Sequence, residues 1–128
     1  MKRQPLEVEC WFLIPLVRDS DRGLHQPVLW RLLEEALSDT WGGWTGPETM
    51  RWGRKKSTVL GGWKPEGSAD PIADESRKYT VFVPPARLDA LRSLLKKAAN
   101  SFDQREILLS VRGRREQVIP TPEDGSLG

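Results

Sequence analysis

The feature that most constrains the fold of this chain is a run of ten residues near its beginning, VECWFLIPLV, from Val8 to Val17. A strand with one face in water alternates apolar and polar side chains. Here one face carries Val8, Cys10, Phe12, Ile14 and Leu16, and the other carries Trp11, Leu13, Pro15 and Val17. We therefore expect a strand, from Leu6 to Val17, in a sheet that is covered on both sides.

Two later segments have the apolar spacing of amphipathic helices. The first begins at Pro27, where a proline loses no hydrogen bond, and ends at the glycine pair after Trp41. Its apolar positions are Leu29, Leu32, Leu33, Ala36 and Leu37, and Arg31, Glu34 and Glu35 are expected to face outward. The second helix follows Pro84 and Pro85, and its apolar positions are Leu88, Leu91, Leu95, Ala98 and Phe102.

Three further strands complete the expected order of elements. Residues 77–83, RKYTVFV, and 106–112, EILLSVR, have the composition of strands. Residues 45–52 and 57–63 are expected to form an irregular hairpin, which we count as one bent strand. The order β-α-β-β-α-β predicts a ferredoxin-like α+β sandwich, with a four-stranded antiparallel sheet and two helices on one face. We expect a single domain, residues 1–117, and a mobile C-terminal tail, residues 118–128.

In this fold the helices cover only one face of the sheet. The first strand offers Trp11, Leu13 and Val17 on the other face. The third strand is also apolar on both faces, with Tyr79, Val81 and Val83 on one and Thr80 and Phe82 on the other. An apolar patch of this extent seldom stays exposed on a soluble monomer. Three things could cover this face of the sheet: a second copy of the chain, the segment 44–74, or a ligand. We favour the second copy and expect a homodimer through the open sheet face.

Composition narrows the class of protein. The net charge of +2 is too small to indicate a nucleic-acid partner by itself. Cys10 is the single cysteine, so no internal disulfide forms. No apolar run reaches the roughly 18 residues that span a bilayer. We therefore expect a cytoplasmic protein without a membrane partner. One histidine and one cysteine argue against a zinc site, and we expect no cofactor.

Four short motifs lie between the predicted elements. They are Trp41-Gly42-Gly43-Trp44-Thr45, Gly62-Trp63, Glu75-Ser76-Arg77 and Phe102-Asp103-Gln104-Arg105-Glu106. In these motifs the chain resembles uncharacterised small bacterial proteins of ferredoxin-like fold, which belong with the dimeric α/β-barrel-like proteins. The likeness covers roughly residues 8–112 and departs where Arg105 separates Gln104 from Glu106 and where residues 51–56 look inserted. The resemblance implies the fold and brings no known activity.

The leading functional hypothesis is a binding site for a small, partly apolar ligand or a protein partner. Aromatic side chains beside an open sheet line such pockets, together with a few polar groups. We expect walls from Trp44, Trp63 and Tyr79, and polar contacts from Glu75, Arg77 and Glu106. The alternative for the tryptophans is core packing and dimer contact. The alternative for Glu75 and Arg77 is a cross-strand ion pair.

A second hypothesis is binding of single-stranded nucleic acid. The basic residues Arg51, Arg54, Lys55 and Lys56 surround Trp52, and single strands need cations for their phosphates and aromatic rings for their bases. The third strand, however, lacks the glycines of the RNA-recognition signature. A solvated loop explains the same residues.

A third hypothesis is an enzyme that needs no cofactor. His25, the single histidine, or a carboxylate such as Glu75 would act as the acid or base. His25 lies just before the helix start at Pro27, where a structural role is the alternative.

Overall fold

The structure, a computed structural model, describes residues 6–52 and 74–128, with the backbone alone for residues 51, 52 and 74. Within these ranges the chain forms β1 (Val8–Pro15), α1 (Pro27–Trp41), β2 (Thr45–Trp52), β3 (Asp74–Val83), α2 (Leu88–Ser101), β4 (Ile107–Val111) and β5 (Arg114–Val118). Short 3-10 turns at Pro85–Arg87 and Pro122–Asp124 precede α2 and follow β5. The predicted strand at 57–63 lies outside the described residues.

The described strands form an antiparallel sheet in the order β2-β3-β1-β4-β5. β1 is the central strand. Val8 lies opposite Val83 of β3, and Cys10 lies opposite both Val81 of β3 and Val111 of β4. A central strand has neighbours on both sides, so little of its surface meets water. This position accounts for the apolar character of β1 on both faces.

The core lies between one face of the sheet and the helices α1 and α2. The sheet contributes Val8, Cys10, Phe12, Ile14, Tyr79, Val81, Val83, Ile107 and Leu109, each at most 4% exposed. The helices contribute Leu33, Leu37, Leu91, Leu95, Ala98 and Ala99, all fully buried. Burial also raises the pKa of the Cys10 thiol, as expected for an inert packed cysteine. The predicted stripe of α2 therefore faces the core. In α1 Leu33 and Leu37 do so, whereas Leu32 and Ala36 are half-buried outside the core cluster.

The ends of α1 follow from its sequence. Pro27 occupies the first turn, and Gly42 closes the helix at φ +83°, a left-handed conformation that glycine adopts at low cost. The Gly42 amide donates a hydrogen bond to the Ser38 carbonyl oxygen at 2.9 Å. The helix therefore runs from Pro27 to Trp41, where the sequence predicts it.

The expectation of four strands is wrong, because the described chain contains a fifth strand, β5. Arg112 and Gly113 have φ values of 54° and 83°, the sign that a two-residue type I′ hairpin turn requires at both positions. β5 then pairs with β4 from Val111–Arg114 to Ile107–Val118. In the sequence of β5, RREQV, only Val118 is buried. Backbone hydrogen bonds hold such an edge strand, so its side chains show no apolar alternation.

The C-terminal residues contact α2. Asn100 Nδ2 donates to the carbonyl oxygens of Thr121 and Gly125, both at 2.9 Å, and the Leu127 amide donates to Ser101 Oγ at 2.8 Å. Leu127 also packs against the core. These contacts join the segment 118–128 to the body of the domain; its mobility stays a prediction.

The sheet face away from the helices is called the open face here. Its side chains include Trp11, Leu13, Lys78, Thr80, Phe82, Leu108 and Ser110, which cross-strand pairs bring together. Leu13 is 5% exposed at the centre, whereas Phe82 is 48% exposed. Val17 does not belong to this face as predicted, because β1 ends at Pro15 and Val17 pairs with Leu24 in an isolated bridge.

Candidate functional site

A shallow groove lies where α1 ends and β2 begins. It has a volume of about 260 Å³ and is lined by Glu7 and by residues 41–45 and 80–82. Its walls include the aromatic rings of Trp41, Trp44 and Phe82. We call it the β3-edge groove, because it runs beside the last residues of β3.

The backbone of β3 has an unfilled edge in this groove. β2 begins at Thr45, opposite Thr80, so Val81, Phe82 and Val83 pair with β1 alone among the described strands. Strand edges of this kind offer backbone N–H and C=O groups to a partner. Aromatic rings thus lie beside unpaired backbone groups.

Trp41 adds a polar group without a partner. Its Nε1 atom is buried and makes no hydrogen bond with any part of the chain that the structure describes. A buried donor without an acceptor costs roughly 1–3 kcal/mol relative to a satisfied one. The Arg87 guanidinium lies over the Trp41 ring, 4.6 Å from its centroid.

Turn chemistry shapes the approach to the groove. Gly46 has φ +107°, and a Cβ atom at this position would lie 2.8 Å from the Lys78 carbonyl oxygen. Glycine is therefore required where β2 meets β3. The register shifts between Thr45 and Glu48. This irregularity holds the beginning of β2, and with it Trp44, beside β3.

A separate charged cluster joins α1 to β3. The Tyr79 hydroxyl donates to Glu34 Oε2 at 2.7 Å, and Arg77 Nη1 lies 3.8 Å from the same oxygen. The Arg77 guanidinium also lies over the Trp30 ring, 4.1 Å from its centroid. Burial, reinforced by the bond to Glu34, raises the pKa of Tyr79 far above its usual range. Tyr79 is therefore a hydrogen-bond donor at every physiological pH.

His25 is packed inside the domain. Its Nε2 atom lies 2.9 Å from the Pro15 carbonyl oxygen and donates to it, so the neutral ring has its lone pair on Nδ1. The ring meets Trp30 and Phe102 edge-on, at centroid distances of 5.6 and 4.8 Å. The side chain is 7% exposed, and Nδ1 is buried without a partner. This environment favours a structural role over contact with a substrate.

A further groove, of about 240 Å³, lies between α2 and β5. Three of its charged side chains, Asp89, Arg92 and Glu116, are paired with one another. Arg92 donates to Glu116 at 2.6 and 3.1 Å and to Asp89 at 2.9 Å. Because Glu116 and Asp89 already engage Arg92, this groove offers less to a ligand than the β3-edge groove.

The structure separates the residues that the sequence places in one site. Arg77 and Tyr79 come together at Glu34, whereas Trp44 lines the β3-edge groove, whose lining includes neither of them. Glu75 lies two residues before Arg77 and therefore on the same face of β3, and its carbonyl oxygen accepts from the Leu16 amide. Glu106 is exposed just before β4. Trp63 lies outside the described residues.

Sequence reasoning missed three participants. Glu34 was expected to face outward, but it meets Tyr79, because it lies one position beyond the buried Leu33 at the border of the apolar stripe. Trp41 was treated as the end of the helix. Glu7 carries no pattern that singles it out. Only Glu34 could have been found from the sequence. It lies four residues after Trp30, so the two side chains are neighbours on one side of the helix.

The residues of the nucleic-acid hypothesis lie at and beyond the end of β2. Arg51 and Trp52 end this strand, and only their backbone is described. Arg54, Lys55 and Lys56 lie outside the described residues, so the hypothesis stays a prediction. In the described ranges, no group of three or more His, Cys, Asp or Glu side chains has a geometry suited to a metal ion. Neither α1 nor α2 has the length and apolar character for crossing a membrane, and they are the α-helices of the described chain.

The sequence matches no known family model and no curated protein. The chain is similar in structure to a phage SAM lyase solved in complex with S-methyl-5′-thioadenosine. The TM-score is 0.51 at 12% sequence identity, and the match covers 93% of this chain and 95% of that chain. A likeness at this identity bears on the fold alone. The class defined is a small α+β protein with an antiparallel sheet; the narrower resemblance to uncharacterised bacterial proteins finds no family match.

Proposed function

We propose that this protein binds a small, partly apolar ligand in the β3-edge groove. The single observation that carries the proposal is the pair of rings Trp41 and Trp44 in one groove, beside the unfilled edge of β3. Ligand sites combine apolar walls with a few placed polar groups. The unpaired edge of β3 supplies further backbone donors and acceptors. At about 260 Å³ the groove suits a ligand of modest size.

We also propose a narrower description of the fold, the ferredoxin-like topology. The order β2-β3-β1-β4, with α1 after β1 and α2 after β3, supports a ferredoxin-like core to which β5 is added at one edge. The ligand groove would then lie at the opposite end of the sheet order from β5, beside β2 and β3.

The test is calorimetric titration with a panel of small metabolites. S-Methyl-5′-thioadenosine and S-adenosylmethionine come first, because the structural neighbour was solved with the former and is named for the latter. Trp44→Leu should weaken binding of any panel ligand by about tenfold or more, since an aromatic wall is worth on the order of 1–2 kcal/mol. Leu24→Ala, at an exposed site away from the groove, is the matched control. A panel without binding, or equal loss in both variants, argues against the groove.

A second candidate function is catalysis without a cofactor at the cluster of Glu34, Arg77 and Tyr79. The Glu34 carboxylate is partly exposed, accepts from Tyr79 and lies near Arg77. Such a carboxylate is a possible proton acceptor. S-Adenosylmethionine is the first substrate to test, with chromatography of its products. Glu34→Gln should abolish turnover, whereas Glu35→Gln, on the exposed side of α1, should keep it.

We also propose that the open face binds a second copy of the chain. Leu13, Leu108 and Phe82 supply apolar surface. Glu48 lies near the β2 edge and Arg115 on β5, at the opposite edge. In such a dimer the two-fold axis lies between the two sheets and runs parallel to the strands. It brings the β2 edge of one copy over the β5 edge of the other, so these opposite charges would meet twice. This self-complementarity supports a symmetric dimer.

A further inference from the structure

Cations lie over three of the described tryptophan rings. Arg77 covers Trp30, Lys78 covers Trp11 and Arg87 covers Trp41, at 4.1, 4.9 and 4.6 Å from the ring centroids. Within the described ranges, no cationic side chain lies over Trp44. Trp44 is also the tryptophan that lines the β3-edge groove without such a cover. Its ring therefore carries no cation from the described residues.

Glu7 supplies the matching charge. It lines the same groove, and none of the described side chains forms an ion pair or hydrogen bond with it. Phe82, on the same lining, leaves 48% of its surface exposed. A carboxylate beside aromatic rings attracts a cation twice, by charge and through the negative faces of the rings. A neutral ligand of the same shape gains only the apolar contact.

We propose that the β3-edge groove selects a small organic cation, a sulfonium or quaternary ammonium group on an apolar body, with Glu7 as counter-charge and Trp44 as π face. This inference rests on the proposed ligand-binding function and names the class of ligand. An alkylated onium centre suits the groove better than a metal ion or a primary amine. Its charge is spread over apolar carbon, so it loses little hydration on contact with aromatic rings.

Arg87 is the charge that opposes this choice. Its guanidinium lies over Trp41 and not over Trp44, and the groove lining does not include it. The cation is therefore expected on the Trp44 side of the groove, between Glu7 and Phe82. Trp41 would contribute its ring as an apolar wall against the body of the ligand.

The test compares choline with 3,3-dimethylbutan-1-ol, which replaces the charged nitrogen by carbon and keeps the shape. Nuclear magnetic resonance titrations of the full chain would follow the indole N–H signals. Choline is expected to bind about fivefold more tightly than the neutral alcohol. Glu7→Gln should bring the two affinities to within about twofold, and the matched Glu35→Gln should leave the preference unchanged.

The outcomes separate this inference from the function on which it rests. Equal affinity for choline and the alcohol, or no choline binding while a neutral metabolite binds, overturns the cation preference and leaves the groove as a ligand site. No binding of any probe or metabolite overturns both. A preference that survives Glu7→Gln and Trp44→Leu also overturns the assignment, because the selectivity then arises elsewhere.

Discussion

Tyr79 shows how one residue serves both the core and the cluster on α1. Its ring stacks near Phe12 at a centroid distance of 5.6 Å and is fully buried, while its hydroxyl reaches Glu34 at 2.7 Å. A buried hydroxyl must find a partner, and here the partner is charged. The bond therefore links the sheet to the outer flank of α1.

We expect Tyr79→Phe to lower the free energy of unfolding by about 1 kcal/mol, because a charge-assisted bond is lost and Glu34 remains partly solvated. Urea denaturation measures the change. A double-mutant cycle with Glu34→Ala supplies the control: the effect of Tyr79→Phe should largely vanish once Glu34 is absent. Additive effects of the two substitutions would show that the hydroxyl contributes nothing through Glu34.

His25 is expected to make the stability of the folded protein depend on pH. Burial lowers its pKa below the ordinary value, and Arg18 lowers it further, while the bond to the Pro15 carbonyl and the charges of Asp103 and Asp19 oppose the shift. Folded His25 thus stays neutral where unfolded His25, with its pKa near 6.5, takes up a proton. The unfolded state binds more protons in that interval, so stability falls as the pH drops.

We expect the free energy of unfolding to begin falling as the pH drops below about 6.5, and His25 to add no further loss below its folded pKa. His25→Gln keeps an N–H donor for Pro15 and removes the titration, so it should flatten the profile. Urea denaturation between about pH 5.5 and 7.5 tests this, and His25 is the single histidine in the sequence. An unchanged slope in the variant would assign the pH dependence to other groups.

At the scale of elements, β2 and β5 differ in how much their sequences reveal. β2 has the bounds that sequence reasoning assigns, Thr45–Trp52, because the glycine pair after α1 marks where the helix must end. β5 could not be predicted from side-chain pattern, since it is a charged edge strand attached through a two-residue turn. The signal that existed was Gly113, a residue typical of the tight turn that joins two antiparallel strands.

The junction of β2 with β3 depends on Gly46. We expect Gly46→Ala to cost roughly 2–3 kcal/mol of unfolding free energy, because it combines an unfavourable positive φ with a clash against the Lys78 carbonyl. Gly113→Ala is the matched control, with φ +83° and no atom within 4 Å of its Cβ, and should cost only about 1 kcal/mol. Equal losses would mean that the clash relaxes freely. Hydrogen exchange should also rise in β2 for Gly46→Ala alone.

At the scale of the whole molecule, we expect the open face to set the state of assembly. Its apolar side chains lie on the sheet side opposite the core formed with α1 and α2. Sheets that pack face to face bury such surfaces against each other. The proposed dimer therefore follows from the placement of the helices on one side.

Sedimentation equilibrium at micromolar concentration should give a dimer. Leu108→Glu puts a charge on the half-buried part of the open face and should yield a monomer that keeps its fold, because Leu108 does not belong to the core cluster. Leu24→Glu, at a position 72% exposed away from the sheet, should stay dimeric. A monomeric unmodified chain would remove the dimer from the proposal and leave the β3-edge groove untouched.

Only part of the candidate site could be predicted from the sequence. Arg77 and Tyr79 share a strand face by alternation, so the sequence alone determined that they are neighbours. Trp44 lines the β3-edge groove, and its role as a wall of a ligand site stays a prediction. The partners Glu34, Trp41 and Glu7 come from other elements, and their distances in the chain carry no signal of the contacts that they make.

The sequence by itself determined the apolar central strand, both helices with their buried stripes and the α+β class, because these follow from local periodicity and turn residues. Only the tertiary structure decided that Glu34 meets Tyr79, that β5 extends the sheet, and that Glu7 and Trp44 line one groove. Each of these depends on how separate elements come together in space, which periodicity along a single segment does not encode.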